Sequence, residues 1–350
     1  MDCLRYAIGT ATAVLMLGLA GCNDDDPGPG PMEPEPPEGP TITVVATGLR
    51  FPTGIELDDQ GRIWVAEEGT GPMESRISVI TPDGEVHTVI DGLASNFVQG
   101  SPQGVHHLVL RDGEIWATQG LGEESPEGNL LRIDVSGFTP GDPPLTMADV
   151  VVEDVGTFVL AADPTGTAQT NIYDLVFGPS GDLFITDASA NAVLRREADT
   201  GALSVLAVLP PVPNDTGVGP PMMEPVPTGI VFEGGRLLVT AFPGFPFPDG
   251  AARVYAVDLA GNVSVFQDGL TGAVDLTLDT AGRPVVLQHA RGFQADFLPL
   301  TGSVVRLLSG GATETLVEEL LYPAGIHFAP NGDFYVTEQI PEGILLRVTP

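Results

Sequence analysis

PTGIELDDQGRIWVAEE, residues 52–68, reads as an apolar strand, a turn built on Asp and Gly, and a second apolar strand ending on carboxylates. The same phrase returns five times: GVHHLVLRDGEIWATQG (104–120), NIYDLVFGPSGDLFITDA (171–188), PTGIVFEGGRLLVTAF (227–242), AVDLTLDTAGRPVVLQH (273–289) and PAGIHFAPNGDFYVTEQ (323–339). Each copy is followed by alternating strands such as SRISVITP (75–82), ARVYAVDL (252–259) or GSVVRLLS (302–309), and usually by a fourth like NVSVFQDGL (262–270). Period-two alternation with D-G, S-G, G-G and N-G turns marks antiparallel hairpins. A repeat of roughly fifty residues built from four strands is the signature of a propeller. The expected fold is an all-β, six-bladed β-propeller with four antiparallel strands per blade.

The ends of the repeat predict how the ring closes. The sixth copy stops at its third strand, GILLRVTP (343–350), and an unmatched strand, TITVVATGL (41–49), precedes the first copy. That strand resembles the fourth strands EVHTVIDGL (85–93) and NVSVFQDGL, so it should complete the last blade and leave no open edge at the seam. Residues 41–350 then form one domain.

Upstream of the repeat, Ala7–Ala20 is an apolar run behind Arg5, too short to span a bilayer. It runs into LAGC, Leu19–Cys22, the pattern of a bacterial lipoprotein signal in which the cysteine is lipidated. Residues 1–21 are expected to be a signal peptide and Cys22 the lipid site. Residues 22–40, acidic and rich in Pro and Gly, are expected to be an extended tether. The expected address is the bacterial cell envelope, extracytoplasmic and held to a membrane through the lipid. Composition fits this. The formal charge is −33 and all 14 basic residues are arginine, so phosphate backbones are repelled and lysine chemistry is excluded. The only cysteines are Cys3 and Cys22, which leaves 41–350 without a disulfide or thiol nucleophile.

In a propeller, turns between strands one and two, or three and four, emerge on one face; the remaining connections emerge on the other. On the first face the turns are minimal apart from SGFTPGDPPLT (136–146). The other face carries long loops: 120–128, 156–170, 210–227, 242–250 and 290–302. Long loops on one side of a rigid scaffold are where binding sites lie. FPGFPFPDG (242–250) brings Phe242, Phe245 and Phe247 to that face, beside Phe293, Phe297, Met222 and Met223. Two roles are open for these rings and do not exclude each other: a plug of the channel mouth, or one wall of a ligand site. Phe242, Phe245, Phe247 and Phe293, with His289 unique to its blade, are the candidate ligand-binding residues.

ASANAVLRR (188–196), TAFPGFPFPDGAARVYAVD (240–258) and EDVGTFVLAADPTGTAQTNIYDL (153–175) resemble the ScyD/ScyE family, named from scytonemin biosynthesis. The resemblance implies an extracytoplasmic, NHL-related propeller supporting a biosynthetic step. It spans 41–350 and departs in the second copy, where His106-His107 stands at a "HD"-like pair.

Counting seven residues back from each turn glycine aligns the starts of the channel strands: Gly54, His106, Asp174, Asp275 and Gly325, with Gly229 after a one-residue gap. Glycines there should leave room, with His106, Asp174 and Asp275 turned towards the axis. An imidazole and two carboxylates suit a divalent cation, with Ca²⁺ or Mg²⁺ as the expected cofactor. The placing is similar to that in gluconolactonase-type propellers. The same aspartates also suit a second role, accepting backbone N–H bonds from the neighbouring blade's loop. A further column, Glu67, Gln119, Asp187, Ala241, Gln288 and Glu338, repeats acid or amide around the ring, which points to loop holding.

There is no G-x-S-x-G elbow and no Gly-rich loop opening a helix. Two functions follow: an envelope-anchored propeller binding a small or aromatic ligand, or a partner, on its loop-rich face, or a metal-dependent hydrolase or lyase of gluconolactonase-like type.

Overall fold

The computed structural model describes residues 39–98, 101–121, 128–294, 296–339 and 342–350. The expected signal peptide, the lipid site Cys22 and the tether up to residue 38 lie outside them.

Six four-stranded antiparallel sheets follow one another around a ring. Blade 1 runs Pro52–Leu57, Ile63–Glu67, Ser75–Ile80 and Val86–Leu93 from the channel outwards. Blades 2 to 5 repeat this order, starting from Val105–Arg111, Ile172–Phe177, Pro225–Glu233 and Ala273–Leu278. In blade 6, Pro323–Phe328, Phe334–Glu338 and Gly343–Thr349 are completed by Thr41–Leu49, paired antiparallel from Thr41↔Thr349 to Leu49↔Gly343. The ring therefore closes as the repeat pattern predicts. A short helix, Gly156–Ala162, lies in the connection into blade 3.

Burial explains the sequence texture. Second strands such as Ile63–Glu67 and Leu183–Asp187 are buried at every residue, because both faces of a blade pack on neighbouring blades, and they read as unbroken apolar runs. The rim strand Thr313–Leu320 is exposed except near Val317 and Leu320. Among the described residues the apolar core falls into six clusters, one at each contact between adjacent blades. Trp64 and Leu131 meet in one such cluster; Phe184 and Tyr255 meet in another. The core lies between the sheets, so the blades stand or fall together.

Around the axis the blades are stitched by side chains bonding to the next blade's backbone. Thr53 Oγ1 donates to His106 O, Thr118 Oγ1 to Tyr173 O, and Thr186 Oγ1 to Thr228 O. Thr228 Oγ1 reaches Ala273 O at 3.4 Å, Asp275 Oδ2 accepts from Ile326 N at 2.9 Å, and Thr337 Oγ1 donates to Thr53 O at 2.9 Å. All six blade contacts carry at least one such bond. The glycines of the channel column serve this approach. A Cβ on Gly325 would lie 1.9 Å from Thr53 O, and one on Gly229 would lie 2.7 Å from Asp275 Oδ1. The room expected at these glycines is taken up by the next blade's backbone.

Gly325→Ala should therefore cost roughly 2–4 kcal/mol in thermal or urea unfolding, because backbone must move to admit the methyl. Gly137→Ala, whose Cβ would meet nothing within 4 Å, should fall within about 0.5 kcal/mol of the parent.

Candidate functional site

Two places gather chemistry: a buried layer in the channel and a cavity on the loop-rich face above it.

The buried layer contains Asp174 and Asp275, as expected, but its imidazole is His107 and not His106. One ligand atom from each of His107, Asp174 and Asp275 lies within 4.8 Å of the others. The expected column slipped at blade 2 because of turn length. Four residues separate the paired Leu110 and Ile115, against five between Leu57 and Ile63, so counting back from Gly113 lands one residue early. Every first strand also enters through a register irregularity, between Val105 and Leu108 in blade 2, which breaks strict alternation there. His106 points elsewhere: its Nδ1 lies 2.8 Å from Glu68 Oε1 and its Nε2 lies 3.2 Å from Asn171 Oδ1.

Both aspartates play the second role foreseen for them. Asp174 Oδ2 accepts from Ile230 N of the next blade at 2.8 Å and Oδ1 accepts from Leu175 N at 2.7 Å; Asp275 does the same with Ile326 and Leu276. The donors come from the channel strands themselves and not from loops. All six residues of the layer, Gly54, His107, Asp174, Gly229, Asp275 and Gly325, are buried. Burial pushes Asp174 up to about 7 and His107 down to about 3. It also raises Asp275, with the charge of Asp174 adding to the rise. The 3.3 Å approach of His107 Nδ1 to Asp174 Oδ1 is thus a contact between groups driven towards neutrality, not an ion pair. His107 Nε2 is buried without a hydrogen-bond partner. One step along the channel, Glu56 and His327 face each other at 3.7 Å, with burial raising Glu56 to about 8 and lowering His327 to about 4.

The acid-or-amide column holds loops as expected. Glu67 accepts from Arg50 N, Asp187 Oδ1 from Asn171 N at 2.8 Å, Gln288 Oε1 from Thr271 N at 2.6 Å and Glu338 Oε1 from Leu321 N at 2.6 Å. Each side chain fixes the connection entering its own blade.

Those fixed connections frame a cavity of about 1070 Å³. Its lining comes from inter-blade connections and second-to-third-strand loops, which is the loop-rich face. Phe242, Phe247, Phe293 and His289 line it, as the sequence predicts. Phe245 does not: it is 49% exposed and packs over Gly219. The rings pack on one another along one side of the cavity. Phe247 lies 4.9 Å from Phe293 and 5.9 Å from Phe242, and Phe293 lies 4.9 Å from Phe297. His289 packs 5.5 Å from Tyr322 and its Nδ1 lies 2.9 Å from Pro323 O, with burial lowering its pKa. The loops are tied to one another: Gly292 N donates to Asp249 Oδ1 at 2.9 Å and Tyr322 OH to Phe297 O at 2.8 Å.

The opposite wall was not foreseen. It is made of amides, among them Gln103, Asn171 and Asn191, with Glu224 beside them. Phe51 and Tyr322 also line the cavity. Their signal was present in the sequence as an aromatic directly before proline at a blade entrance, Phe51-Pro52 and Tyr322-Pro323.

Known structures share the architecture. A virginiamycin B lyase from Staphylococcus aureus matches with TM-score 0.53 and 16% identity, covering 89% of this chain and 100% of its own. A gluconolactonase from Xanthomonas campestris matches with TM-score 0.56 and 12% identity over 88% of each chain. A glucose dehydrogenase matches with TM-score 0.59 and 14% identity, over 89% of this chain and 99% of its own. The propeller is what they have in common. At these identities the likeness is one of fold and brings no reaction with it. No known family pattern and no curated sequence matches the chain.

The channel groups set a pH dependence. Above about pH 7.5 unfolded imidazoles are neutral, as the buried His107, His289 and His327 already are in the folded chain, so the remaining slope there comes from carboxylates. Groups whose folded pKa is raised bind more protons in the folded state, and their stability is lost as pH rises through that pKa. With Asp174 at about 7 and Glu56 at about 8, chelator-treated protein should lose roughly 0.5–1 kcal/mol between about pH 7.5 and 8.5. The range is discounted because 23% of the Glu56 side chain still meets solvent. Glu56→Gln should flatten that slope in melts across the window; an unchanged slope would clear Glu56 of the effect.

Proposed function

We propose that this protein is a lipid-anchored propeller of the bacterial cell envelope, of ScyD/ScyE type, whose loop-rich face binds a small aromatic ligand. The observation that carries the reading is the cavity of about 1070 Å³ with an aromatic wall from blades 4 and 5 and an amide wall from blades 2 and 3. Such a pairing suits a flat molecule with a stacking face and a hydrogen-bonding edge. The second-to-third-strand loops of blades 4 and 5 are cross-tied, so the wall is formed before a ligand arrives and little ordering cost falls on binding. The signal-like leader ending in Cys22 and the acidic tether support anchoring outside the cytoplasm. The family resemblance supports a role in an extracytoplasmic biosynthetic step, as a ligand carrier or as the docking site of a protein partner.

Flat aromatic fragments such as indole should raise the melting temperature of the protein saturably. Phe247→Ala should weaken that binding by roughly tenfold, in line with about 1 kcal/mol per aromatic contact beyond area burial. A variant that binds as the parent does would remove the aromatic wall from the site.

The second reading is a metal-dependent hydrolase or lyase, and the His107 imidazole beside two carboxylates, with its Nε2 left without a hydrogen-bond partner, is what favours it. His107, Asp174 and Asp275 would hold the ion. One imidazole with two carboxylates suits Mn²⁺ or Zn²⁺ better than the Ca²⁺ or Mg²⁺ expected for that ligand set from the sequence. The ion would supply Lewis-acid polarisation of a carbonyl or a bound water of lowered pKa. Burial of the whole layer and the backbone bonds already made by both carboxylates weigh towards a structural role. Titration of chelated protein with Mn²⁺ or Zn²⁺ should then add about 2.7 kcal/mol at a hundredfold excess over the dissociation constant. The gain should vanish in His107→Gln. No gain with either ion would leave the aspartates as stitches alone.

A further inference from the structure

The aromatic reading of the cavity leaves two of its wall groups unused, Glu224 and the side-chain oxygen of Asn191. Asn191 closes the turn between the second and third strands of blade 3, with left-handed backbone at φ 50°, and is 4% exposed. Its Nδ2 donates to Glu224 Oε2. A carboxylate accepts and does not donate, so the amide must turn its NH₂ towards Glu224 and its Oδ1 away. That Oδ1 is buried and has no hydrogen-bond partner. An acceptor left unmade in a dry place is costly, and a ligand that brings a donor relieves the cost.

Glu224 sits against the aromatic loop. Its backbone oxygen accepts from Gly244 N at 2.8 Å, and Gly244 O in turn accepts from Phe247 N at 3.0 Å. A Cβ on Gly244 would lie 3.2 Å from Glu224 Cβ, so the glycine is what lets the acidic residue approach the phenylalanines. Asp296 adds a second carboxylate to the lining, next to Phe297. No arginine is among the described lining residues. The faces of aromatic rings carry negative potential and attract cations as well as apolar surface.

On the reading of the cavity as an aromatic-ligand site, we propose that its ligand is a protonated amine on an apolar body. The ammonium group donates to the Glu224 carboxylate and to Asn191 Oδ1, and the body packs on Phe242, Phe247 and Phe293. A neutral alcohol with the same ring satisfies Asn191 Oδ1 but leaves the carboxylate without a counter-charge. A carboxylate ligand meets Glu224 and Asp296 and is repelled.

Isothermal titration of the protein with phenethylamine, phenethyl alcohol and hydrocinnamate separates these cases. The amine, protonated at neutral pH, should bind about tenfold or more tighter than the alcohol, as expected for a charge-assisted hydrogen bond, and hydrocinnamate should not bind. Glu224→Gln keeps the acceptor for Asn191 Nδ2. It should bring the amine down to the affinity of the alcohol while leaving the alcohol unchanged. Equal binding of amine and alcohol, both weakened by Phe247→Ala, would overturn the amine and leave the aromatic site standing. Amine binding insensitive to Glu224→Gln would also overturn the proposal, since it would reflect general attraction to a chain of charge −33. Saturable binding by none of the three would overturn the amine and the aromatic site together.

Discussion

The ring rests on hydrogen bonds given across each blade boundary at the axis, where a side chain of one blade meets the backbone of the next. Threonines 53, 118, 186, 228 and 337, with Asp174 and Asp275, supply them. Buried away from water, each bond is costly to lose, since removing one partner strands a backbone group that solvent cannot reach. The glycines of the channel column are the sterically matching half of the arrangement, because the partner strand occupies the space where a Cβ would stand. The apolar clusters between blades supply area, and the axial bonds set how closely adjacent blades approach.

That constraint decides which groups remain for function. Asp174 and Asp275 each spend both oxygens on backbone N–H groups, and burial holds them towards the protonated form. Their geometry is that of a structural layer, which an ion would reinforce. Above it, the acid-or-amide column pins the entry segments of five blades, blade 4 having Ala241 at that place. The cavity walls are then free to differ from blade to blade. Blades 4 and 5 contribute phenylalanines, and blades 2 and 3 contribute amides. This asymmetry is what a repeating architectural job does not need and a specific ligand does.

The fold was legible because strands, turns and repeats are local. Gly61, Gly181, Gly282 and Gly332 mark the first hairpin of four blades, all with positive φ, and the spare strand Thr41–Leu49 announced the closure. The site was legible in part. Phe242, Phe247, Phe293 and His289 were found because their loops are long and aromatic on one face. His107 was missed for His106 because a turn shortened by one residue shifts a column counted from its glycine. Asn191 and Glu224 carry no local signature; they are 33 residues apart in different blades and acquire meaning only when their side chains meet. The glycines read as open space turned out to be contact points, because a one-dimensional pattern shows a missing side chain but not what fills its place.

The central claim is that the cavity on the loop-rich face, and not the axial layer, receives the ligand. A crystal structure of the protein soaked with phenethylamine tests it most directly. The account predicts density for the ammonium group against Glu224 and Asn191 Oδ1, with the ring on the wall formed by Phe242, Phe247 and Phe293. A cavity filled by those phenylalanines themselves, with the amine absent or bound elsewhere, would contradict it.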